Sequence, residues 1–172
     1  KPGDHKITWG YRNMGEVSIV TPENAKLEPV KNEDGTPWDP LGGNYRKNMK
    51  SEGMGFETSG MWQADWTMKE GSFYRPEDYP NPPRGARMRL TMAADGPTRV
   101  VTAYTRGPAR NSKELLLQQD FVEVLRRGDD LRFVSAYDPI AVDGEAYVLS
   151  VEVLPEVSAD GSRVTKVTTR DG

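Results

Sequence analysis

The sequence predicts a mainly β protein: a small antiparallel β-barrel or sandwich with one α-helix, preceded by a long irregular N-terminal arm region. Three observations lead there. Valine occurs 3 times before Ala86 and 12 times after it, and β-branched side chains suit a pleated, half-buried surface. In the second half, apolar residues alternate with polar ones between Asp-Gly and Asp-Pro dipeptides, the pattern of short antiparallel strands. The first half holds 11 of the 17 Gly, 9 of the 13 Pro and all four Trp, a mixture that cuts regular structure short and leaves large side chains in need of cover. At 172 residues, 35% of them hydrophobic, the chain can close one core but hardly two. The expected division is residues 1–86, a Gly/Pro- and aromatic-rich extended region, and residues 87–172, a β domain with one helix.

Along the chain, Glu16 to Val20 reads as a short strand that Thr21-Pro22 breaks, because proline has no amide to give to a ladder. Asp34-Gly35, Pro37, Asp39-Pro40 and Gly42-Gly43 set turns so densely that no helix or long strand is expected among them. From Gly53 to Tyr79 the chain is rich in Met, Trp, Phe and Tyr without a clear period. Its aromatics need a partner surface, on the β core or on another molecule. Trp62, Trp66, Phe73, Tyr74 and Tyr79 are therefore expected to anchor an intersubunit arm.

Met88, Leu90 and Met92 alternate with Arg87, Arg89 and Thr91, the two-residue period of a strand with one buried face. Asp95-Gly96 turns the chain and Thr98 to Thr105 is expected to return as its hairpin partner. Asn111 to Gly128 is the helix candidate: Asn111 can cap, Glu114 stands three residues on, and Gly128 suits a helix end. On that helix Leu117, Phe121, Val124 and Leu125 share one face. Strands are then expected at Leu131 to Tyr137, Glu145 to Leu154 and Arg163 to Thr169, with Asp138-Pro139, Asp143-Gly144 and Asp160-Gly161 as junctions.

Chemistry is harder to find than structure. With no Cys, disulfides and thiolate chemistry are excluded, and the single His5 lies between Asp4 and Lys6 with no orienting partner nearby in sequence. Glu77-Asp78 and Asp129-Asp130 are adjacent acids better suited to turns than to one reacting atom. Asn32-Glu33-Asp34-Gly35 with Asp39 lacks the ligand spacing of a calcium loop, and no glycine-rich phosphate motif or GxSxG is present. Arg127-Gly128-Asp129 spells an adhesion tripeptide, but the expected helix end already accounts for its glycine. No catalytic residue, metal or cofactor is expected.

The net charge of −3 excludes a globally basic nucleic-acid binder. Between Arg84 and Lys113, however, six Arg and one Lys meet only Asp95. Arg87, Arg89 and Arg99 from this stretch could form a face for an anion or an acidic partner. A protein partner ranks above nucleic acid, because no obvious series of stacking aromatics runs between the arginines. No run reaches the roughly 20 apolar residues of a membrane span, and no leader precedes the chain as given. A soluble protein without a membrane partner is the expectation.

The stretch Leu131 to Val134, then Val142-Asp143-Gly144 through Tyr147 to Val151, then Val164 to Val167 resembles the closing strands of tailed-bacteriophage neck and tail structural proteins, the head-completion or stopper-like β-barrels. The resemblance covers residues 129–169. It implies a non-enzymatic virion component that contacts copies of itself and other structural proteins. The long first half departs from the compact stopper pattern. The alternative is a carbohydrate-binding β module stacking exposed Trp or Tyr on sugar rings, and an enzyme comes third.

Overall fold

The computed structural model describes residues 3–10, 17–32, 34–38, 53–67, 86–106, 118–129, 131–141 and 143–172. Its strands are β1 (Gly3–Gly10), β2 (Val17–Thr21), β3 (Glu28–Pro29), β4 (Met54–Thr58), β5 (Trp62–Thr67), β6 (Ala86–Met92), β7 (Thr98–Arg106), β8 (Gln118–Gly128), β9 (Ser135–Ala141), β10 (Val148–Val157) and β11 (Arg163–Thr169). All strand pairs are antiparallel. The first sheet has the order β1-β8-β7-β4-β3, the second β2-β5-β6-β9, and β10-β11 forms a separate two-stranded ribbon. None closes into a barrel, so of the two expected β architectures the sandwich is the one formed.

The core lies between the first two sheets. Phe56, Val100, Val122 and Val124 come from the first, and Trp62, Ala64, Trp66, Leu90 and Met92 from the second. On β5 the inward positions run large, small, large: Trp62, Ala64, Trp66. The small central residue sits beside Leu90, its partner on β6, and the two indoles flank it at 0% exposure. Interiors pack at crystal-like density, so such alternation lets facing layers interdigitate.

Two polar contacts also cross the sandwich. Trp66 Nε1 donates to the Asp120 carbonyl at 3.1 Å, and the Val17 amide donates to Asp120 Oδ2 at 2.7 Å. Asp120 on β8 thus holds both β5 and β2 from the opposite sheet.

The helix expected over Asn111 to Gly128 is overturned where it can be seen: Gln118–Gly128 is strand β8, paired with β1 on one side and β7 on the other. Residues 111–117, including Leu116, Leu117 and Glu114, lie outside the described residues. Phe121 to Leu125 looks helical because its apolar residues fall on more than one strand face. In the strand, Val122 and Val124 enter the core, while Phe121 on the other face stacks against Trp38 with ring centroids 6.3 Å apart. A strand covered on both sides loses its alternation and imitates a helical stripe. The same Trp38 ring lies over Gly53, where a Cβ would come within 2.6 Å of it.

The expected β6–β7 hairpin is also corrected. Asp95-Gly96 does turn the chain, but β6 lies in the second sheet and β7 in the first, so residues 93–97 cross the sandwich. The strand expected at Leu131 to Tyr137 runs instead from Ser135 to Ala141, taking in Asp138-Pro139 as part of an edge strand, a position that tolerates proline. β11 occupies the expected bounds.

Composition does not mark a structural boundary at residue 86. β5 pairs with β6 and β4 with β7, so strands from the first half lie inside both sheets. Removing residues 1–80 takes away β1 to β5 and exposes the inner faces of β6, β7 and β8. Circular dichroism of that truncation is expected to show no cooperative thermal transition. Trp66→Ala in the full chain is expected to cost about 3–5 kcal/mol in denaturant melting, whereas Leu149→Ala, at an exposed site, should change it by less than about 0.5 kcal/mol.

Candidate functional site

The aromatic anchors expected on an arm separate into two groups. Trp62 and Trp66 are enclosed in this chain's own core, which corrects their assignment to a neighbouring subunit: the space between the sheets needed filling, and the second sheet contributes them. Phe73, Tyr74 and Tyr79 lie outside the described residues.

The three arginines expected to share one face do not meet. Arg87 and Arg89 stand on the outer face of the second sheet, where Asp65, Arg89 and Asp138 lie side by side on β5, β6 and β9. Arg89 grips Asp65 with a two-pronged bond, Nε to Oδ1 at 2.7 Å and Nη2 to Oδ2 at 2.8 Å. That hydrogen bond, aided by the Asp65 and Asp138 charges and opposed by burial, holds its guanidinium above the ordinary value. Arg87 Nη1 lies 3.5 Å from the same carboxylate, and its Nη2 donates to the Gly144 carbonyl at 2.7 Å. Asp138 accepts the amides of Tyr147 and Val148. Two cations and two anions thus lie together beneath the loop that leads into β10.

Arg99 belongs to β7 in the other sheet and donates to Glu57 Oε1 through Nη2 at 2.7 Å. This exposed pair borders an open cleft of about 550 Å³ between β4 and the residues leading into β3, lined by Pro22, Lys26, Glu28 and Gly55 among others. Lys26 and Glu28 pair there at 2.7 Å. The hydrogen bond and opposite charge raise the lysine pKa and lower the glutamate pKa.

The turn weighed as a calcium loop has its own occupants. Asp34 Oδ1 accepts the Thr36 amide at 2.9 Å and the Thr36 hydroxyl at 2.6 Å, while Asn32 Nδ2 donates to Thr36 Oγ1 and the Pro37 carbonyl. Among the described residues, no group of three or more His, Cys, Asp or Glu side chains is arranged to hold a metal, and no helix is long and apolar enough to cross a membrane.

What remains open is the ribbon. Of the seven large hydrophobic side chains exposed among the described residues, five lie on it or at its start: Tyr147, Leu149, Val157, Val164 and Val167. Its proximal half is seated on the sandwich through a small second core of Ala93, Val148 and Val151, with Val134, Ala136 and Val153 alongside. Gln63 Nε2 reaches the Leu149 carbonyl at 3.3 Å. Its distal half, from Pro155 through Val167, is exposed at every position. The turn closes with the Gly161 amide on the Ser158 carbonyl and Gly161 at φ 82°, a left-handed position that glycine adopts without steric cost. Asp160 accepts the Ser162 amide at 2.9 Å, and its carboxyl is held below the usual range by the Ser162 hydroxyl first and that amide second.

In the sequence Tyr147, Leu149, Val151 and Val153 alternate with Ser150 and Glu152, which in a regular strand would put the four on one face. A register shift between Val148 and Ser150 intervenes. One added residue reverses which side chains point inward, so Val148 joins Val151 in the interior and Tyr147 and Leu149 turn outward. No sequence signal marks that bulge.

No family model matches the chain, and comparisons with curated proteins and with solved structures find no match.

The paired charges differ in their dependence on burial. Asp65→Ala leaves Arg87 and Arg89 without their shared anion and is expected to cost about 3–5 kcal/mol. Arg99→Ala is expected to cost less than about 1 kcal/mol, because its pair with Glu57 stands in water. Urea melting of the two variants checks both.

Proposed function

We propose that this chain is a non-enzymatic structural subunit of a virion, of the phage neck, tail or capsid-associated kind, acting through protein–protein contacts. The observation that carries the reading is the ribbon: a two-stranded extension of a closed sandwich, on which most of the exposed large apolar side chains of the described residues are gathered. A solitary two-stranded ribbon is marginally stable in water, and apolar side chains collected on one projection are the usual mark of a contact surface. The segment that resembles tailed-phage neck and tail proteins, residues 129–169, is the one that forms β9, β10 and β11. Copies of this chain and other structural proteins are the partners this reading names, and a virion assembled in the host cytoplasm is its location.

The sugar-binding alternative loses its strongest side chains, since Trp62 and Trp66 have no face open to a ring. Nucleic acid loses Arg87 and Arg89, which are held by Asp65.

Gradient sedimentation of a native extract, with the chain followed by antibody, tests the proposal. The chain is expected in a large particle and to be released when that particle is dissociated. Recovery of the whole population at the monomer mass of 19.2 kDa would overturn it.

A further inference from the structure

We infer that β11 is a self-complementary edge through which two copies of this chain join their ribbons into one four-stranded antiparallel sheet. The inference rests on the assembly reading above and names its partner, a second copy. On its far side β10 is already engaged, through a bridge between Glu152 and Ala94. Among the described residues β11 pairs with β10 alone, and every residue from Arg163 to Val167 is exposed. Its outer edge therefore presents amides and carbonyls that no described strand covers. Protein edges are normally blunted by proline, bulges or charge. β11 has no proline, its register with β10 is regular from Thr165 to Val167, and its central charge is the single Lys166.

Symmetry restricts how such an edge can pair with itself. A two-fold axis normal to the sheet keeps each face on its own side, and residues opposed across an antiparallel pair share a face. One residue must therefore lie on the axis, opposite its own copy. Full overlap of the seven-residue strand places Lys166 there, with like charges directly opposed, which is destabilising.

Shifting the axis to Val167 removes that conflict. Val167, 46% exposed in the single chain, then packs on its own copy. Thr165 faces Thr169 and Lys166 faces Thr168, so the overlap of the two copies runs from Thr165 to Thr169 and opposes no like charges. Shifting the other way, to Thr165, sets Lys166 against Val164 and Arg163 against Val167. The attraction this slip would offer, Arg170 to Asp160, is already spent: Arg170 is held by Glu145 at 3.2 Å and by the Ala146 carbonyl at 2.7 Å, and Asp160 caps Ser162. Apolar contact at the axis and the separation of Lys166 from its own copy both select Val167.

A seam of one strand pair is smaller than a standard stable interface, so the association is expected to depend on concentration, and a trapping experiment suits it. The chain has no Cys, so a single introduced thiol reports without background. Opposed Cα atoms in an antiparallel pair lie about 4.5–5.5 Å apart, within disulfide reach. Single variants Val164→Cys, Thr165→Cys, Lys166→Cys and Val167→Cys of the full chain, mildly oxidised and run without reductant, are expected to give a covalent dimer at Val167→Cys and little at the other three. Thermal melts of the reduced proteins confirm that each is folded, as exposure of these positions leads one to expect.

In the Val167→Cys background, Thr168→Lys, which sets a lysine opposite Lys166, should reduce the dimer band, and Lys166→Glu added to it should restore the band. A maximum at another position, or no dimer at any, overturns the pairing. If the chain still sediments in a particle while Val167→Cys stays monomeric, the pairing alone falls. If Val167→Cys cross-links but the native chain sediments as a monomer, the virion reading falls and the pairing stands.

Discussion

Arg126 is the contact on which the path of the chain depends. Its guanidinium is 1% exposed at the end of β8, where the chain passes between the sheets twice, through residues 93–97 and again through residues 129–134. Nε donates to Thr98 Oγ1 at 2.8 Å, Nη2 to the Ala93 carbonyl at 2.9 Å, and Nη1 to the Arg132 carbonyl. The Phe133 ring lies 5.1 Å from the guanidinium carbon, and Asp95 stands 3.8 Å from Nη1. Burial pushes the Arg126 pKa down and the Asp95 charge pushes it back up. One planar fork thus satisfies carbonyls on both crossings, which a lysine with its single nitrogen could not do in the same geometry. With both crossings tied to β8, β6 and β9 are delivered to the second sheet as neighbours.

The two ends of the sandwich are held by different means. Asp120 joins β8 to β2 and β5 near one end through the Val17 amide and the Trp66 indole. Arg126 closes the other. Between them the contact is apolar, with Trp62 and Trp66 filling the gap around Ala64. Polar groups buried at the ends fix which strands face each other, because an unmatched buried charge costs far more than an unmatched methyl group. The apolar middle supplies most of the free energy.

On the assembly reading proposed above, function is a matter of what the sandwich leaves uncovered. On its described faces Arg89 and Arg87 pair with Asp65, Arg99 with Glu57, and Lys26 with Glu28. The ribbon is built differently. Its base is locked by Ala93, Val148 and Val151, and its far half is exposed, carrying valines and an edge that no described strand covers. In the pairing inferred above, a packed base with an open tip leaves little ordering to be done on contact.

The β character of the chain and its turns at Asp95-Gly96, Asp143-Gly144 and Asp160-Gly161 were legible in the sequence, because valine content and Asp-Gly dipeptides act locally. Arg163 to Thr169 could be bounded to the residue for that reason: it is an exposed strand whose limits depend on its own turn. Glu16 to Val20 came within one residue of β2 for the same reason. Tertiary structure decided what depended on cover. Gln118 to Gly128 became a strand because Trp38 and the opposing sheet bury both its faces, erasing the alternation that would have identified it. Trp62 and Trp66 went inward because the second sheet needed its gap filled, a demand no local pattern expresses. Arg87 and Arg89 were withdrawn from solvent by Asp65, some twenty residues away in sequence and adjacent only once β5 lies beside β6. Tyr147 and Leu149 were turned outward by a bulge that only the pairing of β10 with β11 reveals. Local chemistry chose the elements; the contacts between distant segments chose which of their faces would be seen.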